Sequence, residues 1–260
     1  MQTLKYEQQD HLATIAFNRP QMLNSLDETM AEELLTTIRS ITKNPKIKVV
    51  VLNGHGPAFM AGGDVGFFYQ NLKSLTNKAE SIIAMVHEVV NLIQQSETIF
   101  IASVHGSVAG IGISFMLACD LVIASADTKF ATAYTKIGLS PDGGSSYFLT
   151  HLLGRKKAFE LLALSETFSA EEAKQLGLIN WICPAESLAE STEKLTQKLL
   201  RGPSLAFAHV KRLVNRAEQT TLKEQLDDEG FGFVKSTETK DFVAGITAFV
   251  QKQMPTFEGK

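Results

Sequence analysis

The most informative feature of this chain is a pair of glycine-containing stretches, AFMAGGD (residues 58–64) and HGSVAGIG (residues 105–112). Each follows an apolar run typical of a buried β-strand and leads into a sequence that predicts a helix start. Their small residues let the backbone approach a ligand closely, and the first N–H groups of a helix have no acceptor within it. One N–H from each stretch would stabilise negative charge on a shared carbonyl oxygen. The alternative is that the glycines only permit turns and tight packing.

Strands and helices alternate over the first half of the chain, which predicts right-handed crossover units and a mainly parallel sheet in an α/β fold. Ser25 and Glu28 have the spacing of a capping box at the start of one helix. The polar stretch 70–78 is typical of a loop. The strands are expected at 12–18, 49–52, 100–104 and 121–124, and the helices at 25–42, 77–95 and 109–118.

The second half of the chain is mostly helical. Ser169 and Glu172 have the spacing of a capping box, and one short strand is expected at 178–183. Phenylalanines in the last helices would expose much apolar surface, so this region is expected to cover the core or a neighbouring subunit. Three amphipathic helices are expected after Pro203, near 204–217, 221–236 and 239–253.

The composition argues against several classes of function. With 44% hydrophobic residues, 20% charged residues and a net charge of −3, the chain has no electrostatic footprint for nucleic acid. No apolar run approaches the roughly 18 residues needed to cross a membrane, and no signal-peptide core follows Met1. Two cysteines are too few for a disulfide framework, and the six histidines lack metal-ligand spacing. We therefore expect a cytoplasmic protein without a metal ion.

Four motifs in order resemble those of the enoyl-CoA hydratase/isomerase, or crotonase, superfamily over nearly the whole chain. FNRPQMLNSL (residues 17–26) is similar to the family's NRP…LNAL segment, AFMAGGD to its AFxAGxD loop, and HGSVAGIG to its GxxxGxG segment. SAEEAKQLGLI (residues 169–179) is similar to its SAxEAxxxGLV stretch. A further stretch, IGLSPDGG (residues 137–144), looks most like the 3,2-enoyl-CoA and phenylacetyl-CoA-type isomerases.

The resemblance implies an α/β fold built as a crotonase-like spiral of strand-strand-helix turns. Residues 1–200 would form the spiral core that binds acyl-CoA, and residues 201–260 a helical region used for oligomerisation, in a homotrimer or a hexamer. The substrate would be an acyl-CoA thioester. Coenzyme A would therefore enter as part of the substrate, and no separate cofactor is expected.

The resemblance also implies which residues form the site. The backbone N–H groups of Gly63 and Ile111 would be the oxyanion hole that stabilises an enolate. Phe249 and Lys252 would reach the coenzyme A cradle of their own or a neighbouring subunit, although trimer packing explains Phe249 equally well. The expected substrate- and CoA-binding positions are Met22, Leu23, Ala61, Asp64, Val65, Gly110, Ser114, Tyr134, Phe249 and Lys252.

Acidic residues separate hydration from isomerisation. Family members that add water use two glutamates, and the corresponding positions here are Ser114 and Tyr134, neither of which is a suitable base near neutral pH. Asp142 stands where several isomerases carry an acid, and one carboxylate suffices to move a proton between two carbons. An aspartate before two glycines and a helix is also typical of an N-cap, and Asp64 is expected to cap a helix at 65–70.

The leading hypothesis is an acyl-CoA isomerase with Asp142 as the catalytic proton shuttle and an oxyanion hole at Gly63 and Ile111. Two alternatives stay open on the sequence: an enoyl-CoA hydratase that adds water to a 2-enoyl-CoA, and a non-catalytic acyl-CoA-binding subunit. Apolar neighbours are expected to raise the pKa of Asp142 toward a useful range. The expected neighbours are Phe67, Phe68, Phe115 and Phe148.

Overall fold

The computed structural model describes residues 1–260 and contains ten β-strands in two sheets. The strands expected in the first half of the chain are all present, and the short strand expected near 178–183 is the last of the ten. Numbered along the chain, they are β1 (Leu4–Gln9), β2 (Leu12–Phe17), β3 (Val49–Gly54), β4 (Ala58–Met60), β5 (Ile99–Val104), β6 (Ser107–Ala109), β7 (Leu121–Ser125), β8 (Lys129–Ala131), β9 (Phe168–Ser169) and β10 (Trp181–Cys183).

The two sheets alternate along the chain and build a spiral. The larger sheet has the order β1-β2-β3-β5-β7-β10, and the smaller has the order β4-β6-β8-β9. β3, β5 and β7 lie in the larger sheet, and each is followed by a short strand of the smaller sheet, namely β4, β6 and β8. Only β1 with β2 and β8 with β9 pair antiparallel. Repetition of this step confirms the α/β spiral of strand-strand-helix turns.

The chain contains ten α-helices, and the last four of them follow the final strand. None of them is both long enough and apolar enough to span a membrane. They are α1 (Glu28–Thr42), α2 (Val65–Gln70), α3 (Leu75–Gln95), α4 (Ile111–Ala118), α5 (Ser145–Leu164), α6 (Ala170–Gln175), α7 (Leu188–Leu200), α8 (Ser204–Arg216), α9 (Leu222–Thr237) and α10 (Lys240–Gln251).

The start of α1 differs from the expected capping box at Ser25. The N-cap is Asp27, whose side chain accepts a hydrogen bond of 2.9 Å from the N–H of Met30. Arg19 explains the shift, because its guanidinium binds the carbonyl of Ser25 at 2.6 Å and the carboxylate of Asp27 at 3.2 Å. The chain therefore enters the helix two residues after Ser25, at the cap Asp27.

Two other local predictions have opposite outcomes. The capping box of Ser169 and Glu172 is confirmed at the start of α6. The loop expected at 70–78 is wrong, because α2 continues to Gln70 and α3 begins at Leu75. Only residues 71–74 separate these two helices.

A cluster of 43 buried residues forms the main core, and α4 lies inside it. Every residue of α4 is buried, which explains why this helix is apolar on all sides. Phe17 of β2 packs edge-to-face on Phe59 of β4, with ring centroids 5.3 Å apart, and stacks 6.2 Å from Phe115 of α4. Packing in the core therefore fixes β4, which begins the first glycine-containing stretch, and α4, which begins at the end of the second.

The C-terminal helices are attached to the core through a buried ion pair. Lys211 of α8 lies 2.9 Å from the carboxylate of Asp120 and donates at 2.8 Å to the carbonyl of Thr98. Its ammonium also lies 5.1 Å from the ring centroid of Phe100. Beyond this attachment, α9 and α10 present exposed apolar side chains, including Phe233, Phe249 and Val250.

Candidate active site

The two glycine-containing stretches lie side by side because β4 and β6 are parallel neighbours. The chain leaves β4 through Gly62 and leaves β6 through Gly110, and their backbones touch: a Cβ on Gly110 would lie 3.3 Å from Cα of Gly62. Both residues have positive φ, 104° and 50° respectively, which favours glycine. The structure thus brings together the two helix starts, those of α2 and α4, that the stretches predict separately.

Two backbone N–H groups beside these helix starts have no acceptor in the chain. Ile111 is the first residue of α4, so its N–H has no partner within the helix. The N–H of Gly63 likewise donates to no protein oxygen, although the peptides on both sides of it are fixed. Leu26 donates at 2.8 Å to the carbonyl of Gly62 and accepts at 2.8 Å from the N–H of Asp64. Both free N–H groups are therefore held rigidly and are able to bind an oxygen.

The loop that carries Asp142 packs directly on the start of α4. A Cβ on Gly143 would lie 2.3 Å from Cδ1 of Ile111 and 2.9 Å from Cβ of Ser114, so only glycine fits at this position. Gly143 also has a φ of 58°, which a residue with a side chain rarely adopts. This contact holds the loop that carries Asp142 against the first turn of α4, which begins at Ile111.

The carboxylate of Asp142 is not a helix cap. α5 begins at Ser145, its N-cap residue is Gly144, and no side chain accepts a hydrogen bond there. The N-cap interpretation of Asp142 is therefore wrong. Oδ1 of Asp142 instead accepts a hydrogen bond of 2.6 Å from the hydroxyl of Tyr134, and Oδ2 has no protein partner. One carboxylate oxygen is fixed, and the other is free to take up a proton.

Ser114 and Tyr134, where the resemblance places the two glutamates of water-adding enzymes, both hold Asp142. Tyr134 binds its side chain, and Ser114 donates at 3.0 Å to its backbone carbonyl. The two hydroxyl oxygens lie 3.5 Å apart. The hydroxyl of Ser145 reaches the same carbonyl at 3.0 Å. The expected binding positions Ser114 and Tyr134 thus form a network that orients the acid.

Burial raises the pKa of Asp142 above its ordinary value. The hydrogen bond from Tyr134 and the nearby His87 lower this pKa, but by less than burial raises it. The pKa of Tyr134 is also raised, first by burial and then by the carboxylate of Asp142, so its phenol keeps the proton that it donates. A raised carboxyl pKa suits a group that must accept a proton and return it.

The phenylalanines expected around Asp142 are divided between the site and the core. Phe148 lies against the loop, since a Cβ on Gly144 would be 2.9 Å from its ring, and Phe68 lies in the same way against Gly63 at 2.8 Å. Phe115 belongs to the core cluster, and Phe67 packs against that cluster. Of the four expected neighbours, Phe148 borders the Asp142 loop, and Phe68 borders Gly63 instead.

His87 lies beside the Asp142 loop, although no sequence motif identifies it as a residue of the site. It lies on the exposed side of α3, and its Nε2 accepts a long hydrogen bond of 3.4 Å from the N–H of Gly143. α3 is distant from this loop in the chain, and the helical pattern of α3 does not distinguish this histidine from other polar residues. Only the packing of α3 against the loop brings it into the site.

Asp64 is buried and supports the first glycine-containing stretch. Its Oδ1 accepts a hydrogen bond of 2.9 Å from the N–H of Phe67, which confirms that it caps α2. Its Oδ2 lies 2.9 Å from the guanidinium of Arg19. Because both oxygens are already bound to the protein, the side chain holds the loop in place, and the expected contact of Asp64 with coenzyme A stays a prediction.

The other expected residues of the coenzyme A cradle form an exposed apolar surface beside Gly63. The carbonyl of Leu23 accepts a hydrogen bond of 3.0 Å from the N–H of Ala61, which joins the two segments. Met22, Leu23 and Val65 are each 42 to 53% exposed. Apolar side chains this exposed are available to a ligand.

Phe249 and Lys252 lie at the C-terminal end of α10, and neither forms a hydrogen bond with the Asp142 network. Phe249 is 82% exposed, and the side chain of Lys252 is also exposed. Both are therefore available to a neighbouring subunit, and their contact with coenzyme A stays a prediction. No group of three or more His, Cys, Asp or Glu side chains is arranged to hold a metal ion.

A protein-family model and several known proteins are similar to this chain over most of its length. The family model described as "Enoyl-CoA hydratase/isomerase" matches residues 7–260. The chain belongs to the enoyl-CoA hydratase/isomerase family. It is 31% identical over 250 residues to the 1,2-epoxyphenylacetyl-CoA isomerase of Escherichia coli, with 95% of each protein covered. It is 29% identical over 255 residues to the crotonyl-CoA hydratase of Syntrophomonas wolfei, with 98% of this chain and 97% of the relative covered.

Solved structures of the same enzyme family share the fold. The crystal structure of an enoyl-CoA hydratase from Polaromonas sp. JS666 matches with a TM-score of 0.93 and 30% identity, over 98% of this chain and 99% of the other. The crotonase fold is thereby confirmed. Relatives named isomerase and hydratase are similar to the chain to nearly the same degree, so overall identity does not separate the two activities.

We expect Asp142→Asn to raise the free energy of unfolding near neutral pH. The folded state holds the Asp142 proton more tightly than the unfolded chain does, so the stability from this group is fully present below the ordinary aspartate pKa and is lost as the pH rises through the raised pKa. Asparagine keeps an acceptor for Tyr134 and buries no charge. Urea unfolding followed by circular dichroism at several pH values measures the difference.

The gain in free energy of unfolding of Asp142→Asn should disappear below about pH 3.9, where aspartate is protonated in both the folded and the unfolded state. Asp227→Asn is the matched control, because that carboxylate is exposed and should give no such pH-dependent gain. A variant less stable than the parent near neutral pH would show that the protein stabilises the ionised form of Asp142.

Proposed function

We propose that the protein is an acyl-CoA isomerase that moves a double bond within an enoyl-CoA thioester. The observation that carries this proposal is the free Oδ2 of Asp142, on a loop packed against the start of α4, where the N–H of Ile111 is also free. A double-bond shift needs one group that accepts a proton and returns it, and one site that stabilises the enolate between these two steps.

The reaction begins with transfer of a proton from C2 of a 3-enoyl-CoA to Oδ2 of Asp142. The electron pair of the C–H bond moves toward the thioester carbonyl, whose oxygen becomes that of a dienolate and accepts hydrogen bonds from Gly63 and Ile111. Asp142 then returns the proton to C4, and the conjugated 2-enoyl-CoA forms with no atom gained or lost. The base is expected to contribute about 10²–10⁴-fold in rate, and each backbone donor about 10²–10³-fold.

The main alternative is hydration, which the name of the Syntrophomonas wolfei relative favours. Hydration needs a base for the attacking water and an acid for the carbon that becomes protonated. The hydroxyls of Ser114 and Tyr134 occupy the two corresponding positions, and both are committed to Asp142 by hydrogen bonds. The raised pKa of Tyr134 makes it a poor source of protons as well. These observations favour isomerisation.

The second alternative is an acyl-CoA-binding subunit without catalytic activity. Asp142 is a half-buried carboxylate with one oxygen unpartnered and a raised pKa, which costs stability, and groups of this kind are concentrated at functional sites. This cost favours a catalytic role for Asp142 over a purely structural one.

Asp142→Asn tests the mechanism directly. We expect kcat for 3-enoyl-CoA isomerisation to fall by about 10²–10⁴-fold, because the base is lost while the hydrogen bond from Tyr134 is kept. The affinity for substrate should change little, since the backbone donors are untouched. The measurement is the absorbance of the conjugated product, with crotonyl-CoA hydration assayed in parallel and Asp227→Asn as the control variant.

Three outcomes separate the candidates. Loss of isomerisation in Asp142→Asn, with weak hydration in the parent protein, supports the isomerase. Robust hydration by the parent at the rate of isomerisation would contradict our view of Ser114 and Tyr134. Unchanged activity of Asp142→Asn over a broad panel of thioesters would favour the non-catalytic subunit.

We also propose that the active form is a homotrimer or a hexamer assembled through the C-terminal helices. Phe233, Phe249 and Val250 on α9 and α10 are 73 to 82% exposed in the single chain. An apolar surface of this kind on consecutive helices is typical of a subunit interface.

Sedimentation equilibrium is expected to give three or six times the chain mass of 28.5 kDa. Phe249→Glu should lower that mass, because a charge would be buried in an apolar interface. Phe159→Glu is the matched control, since Phe159 is also largely exposed, at 72% against 82% for Phe249, but lies on α5. A parent protein that sediments as a monomer, or dissociation caused only by the control, would contradict assembly through α9 and α10.

A further inference from the structure

Arg19 lies behind the first glycine-containing stretch, in a cluster that takes no part in the proposed proton transfer. Its side chain is only 16% exposed. Nη1 donates at 2.6 Å to the carbonyl of Ser25 and lies 3.2 Å from the carboxylate of Asp27, and Nη2 donates at 2.9 Å to Oδ2 of Asp64. The guanidinium therefore joins the segment before α1 to the residue that directly follows Gly63.

Two hydrogen bonds connect this guanidinium to the N–H of Gly63 through two peptide groups. The carbonyl of Ser25 and the N–H of Leu26 belong to one peptide group. The carbonyl of Gly62 and the N–H of Gly63 belong to the other. Nη1 of Arg19 donates to the first carbonyl, and the N–H of Leu26 donates at 2.8 Å to the second. The contacts therefore run from the guanidinium through both peptide groups to the free N–H of the candidate oxyanion hole.

The trans geometry of these peptide groups fixes the direction in which the N–H of Gly63 points. The chain contains no cis peptide bond, so the C=O and the N–H of each group point in opposite directions. The carbonyl of Gly62 faces Leu26, and the N–H of Gly63 therefore points away from Leu26. Because Arg19 holds the carbonyl of the peptide group that ends at Leu26, it holds the orientation of this donor as well.

The positive charge of Arg19 also strengthens the donor at Gly63. A cation bound to a carbonyl draws electron density from the N–H on the other side of the peptide group, and that N–H becomes a stronger donor. Hydrogen bonds in series strengthen one another in this way by about 10–30% per bond. At Gly63 the strengthened N–H would face an oxygen that becomes negative during the reaction, which is where a stronger donor increases the rate.

Two carboxylates contact Arg19, and one of them lies close to the candidate oxyanion hole. Asp27 is the N-cap of α1, whereas Asp64 directly follows Gly63. The side chain of Asp64 is only 5% exposed, so solvent screens its charge weakly. Without Arg19 this carboxylate would stand uncompensated near the enolate and would oppose the negative charge that forms there. Neutralisation of Asp64 by Arg19 therefore favours the enolate too.

We propose that Arg19 is a positioning residue that orients and polarises the Gly63 donor of the oxyanion hole. It acts through the carbonyl of Ser25 and the N–H of Leu26, and by neutralising Asp64, rather than by contact with the substrate. Its effect is largest when the thioester oxygen carries negative charge, so Arg19 serves turnover more than binding. This inference rests on the proposed function, because that function places the thioester oxygen on Gly63.

Arg19→Gln removes the charge and leaves a polar side chain in the cluster. We expect kcat for 3-enoyl-CoA isomerisation to fall by about ten- to a hundredfold, the range of a hydrogen bond to a charged group, while KM changes little. Asp27→Asn is the matched control, because asparagine also caps helices and the contacts of Arg19 with Ser25 and Asp64 remain. This control variant should keep the parental kcat.

Infrared spectroscopy of a bound analogue separates this inference from the proposed reaction, because it needs no turnover. The probe is hexanoyl-CoA with an isotope label at the thioester carbonyl, whose stretching frequency falls as the hydrogen bonds to its oxygen strengthen. Binding to the parent protein should lower this frequency relative to water, and Arg19→Gln should reverse part of the shift. These two results support the inference even if the parent isomerises no 3-enoyl-CoA.

Arg19→Lys keeps the charge and takes the place of Arg19→Gln if circular dichroism shows that the glutamine variant does not fold. An ammonium does not reproduce the planar fork that reaches Ser25 and Asp64 together, so kcat and the frequency shift should be smaller than in the parent but larger than in Arg19→Gln. Parental kcat and carbonyl frequency in either folded variant would overturn the inference and leave the isomerase proposal intact. An equal loss in Asp27→Asn would also overturn it and assign Arg19 to folding alone.

Discussion

The close approach of the backbones at Gly62 and Gly110 is the constraint around which this site is organised. Parallel pairing of β4 and β6 brings the two chains together, and the absence of a side chain at both positions lets them touch before each enters a helix. Two helix starts consequently lie next to each other with the N–H groups of Gly63 and Ile111 unpaired. A larger residue at Gly110 would separate the two segments and misplace both donors.

The acid depends on the same close packing. Gly143 lies against Ile111 and Ser114 with no room for a Cβ, so the Asp142 loop is positioned by the helix that supplies one of the two free N–H groups. Tyr134 then fixes one oxygen of Asp142 and leaves the other open. Ser114 and Tyr134, which the resemblance places at the two glutamate positions of water-adding enzymes, both support this single carboxylate.

Much of the fold could be predicted from the sequence because its signals are local. Apolar runs predict β2, β3, β5 and β7, and Asp64 predicts the start of α2. The short strands of the second sheet are only two or three residues long, so they carry no periodicity, and the arrangement in two sheets followed only from the resemblance. The start of α1 was wrong because a distant interaction, that of Arg19, overrides the spacing of a capping box.

The sequence indicated several residues of the candidate site, but not the hydrogen bonds that connect them. Asp142, Ser114 and Tyr134 each stand at a motif position, yet the hydrogen bonds that join them depend on how the loop packs on α4. His87 lies on an amphipathic helix whose pattern does not distinguish it from other polar residues, and only the tertiary structure shows that it contacts the Asp142 loop.

The most direct test of the central claim is a crystal structure of the Asp142→Asn variant with a bound 3-enoyl-CoA. The account predicts a thioester oxygen within about 2.7–3.1 Å of the nitrogens of both Gly63 and Ile111, with the side chain of residue 142 facing C2 and C4 of the acyl group. A thioester oxygen bound elsewhere, or residue 142 turned away from those carbons, would contradict it.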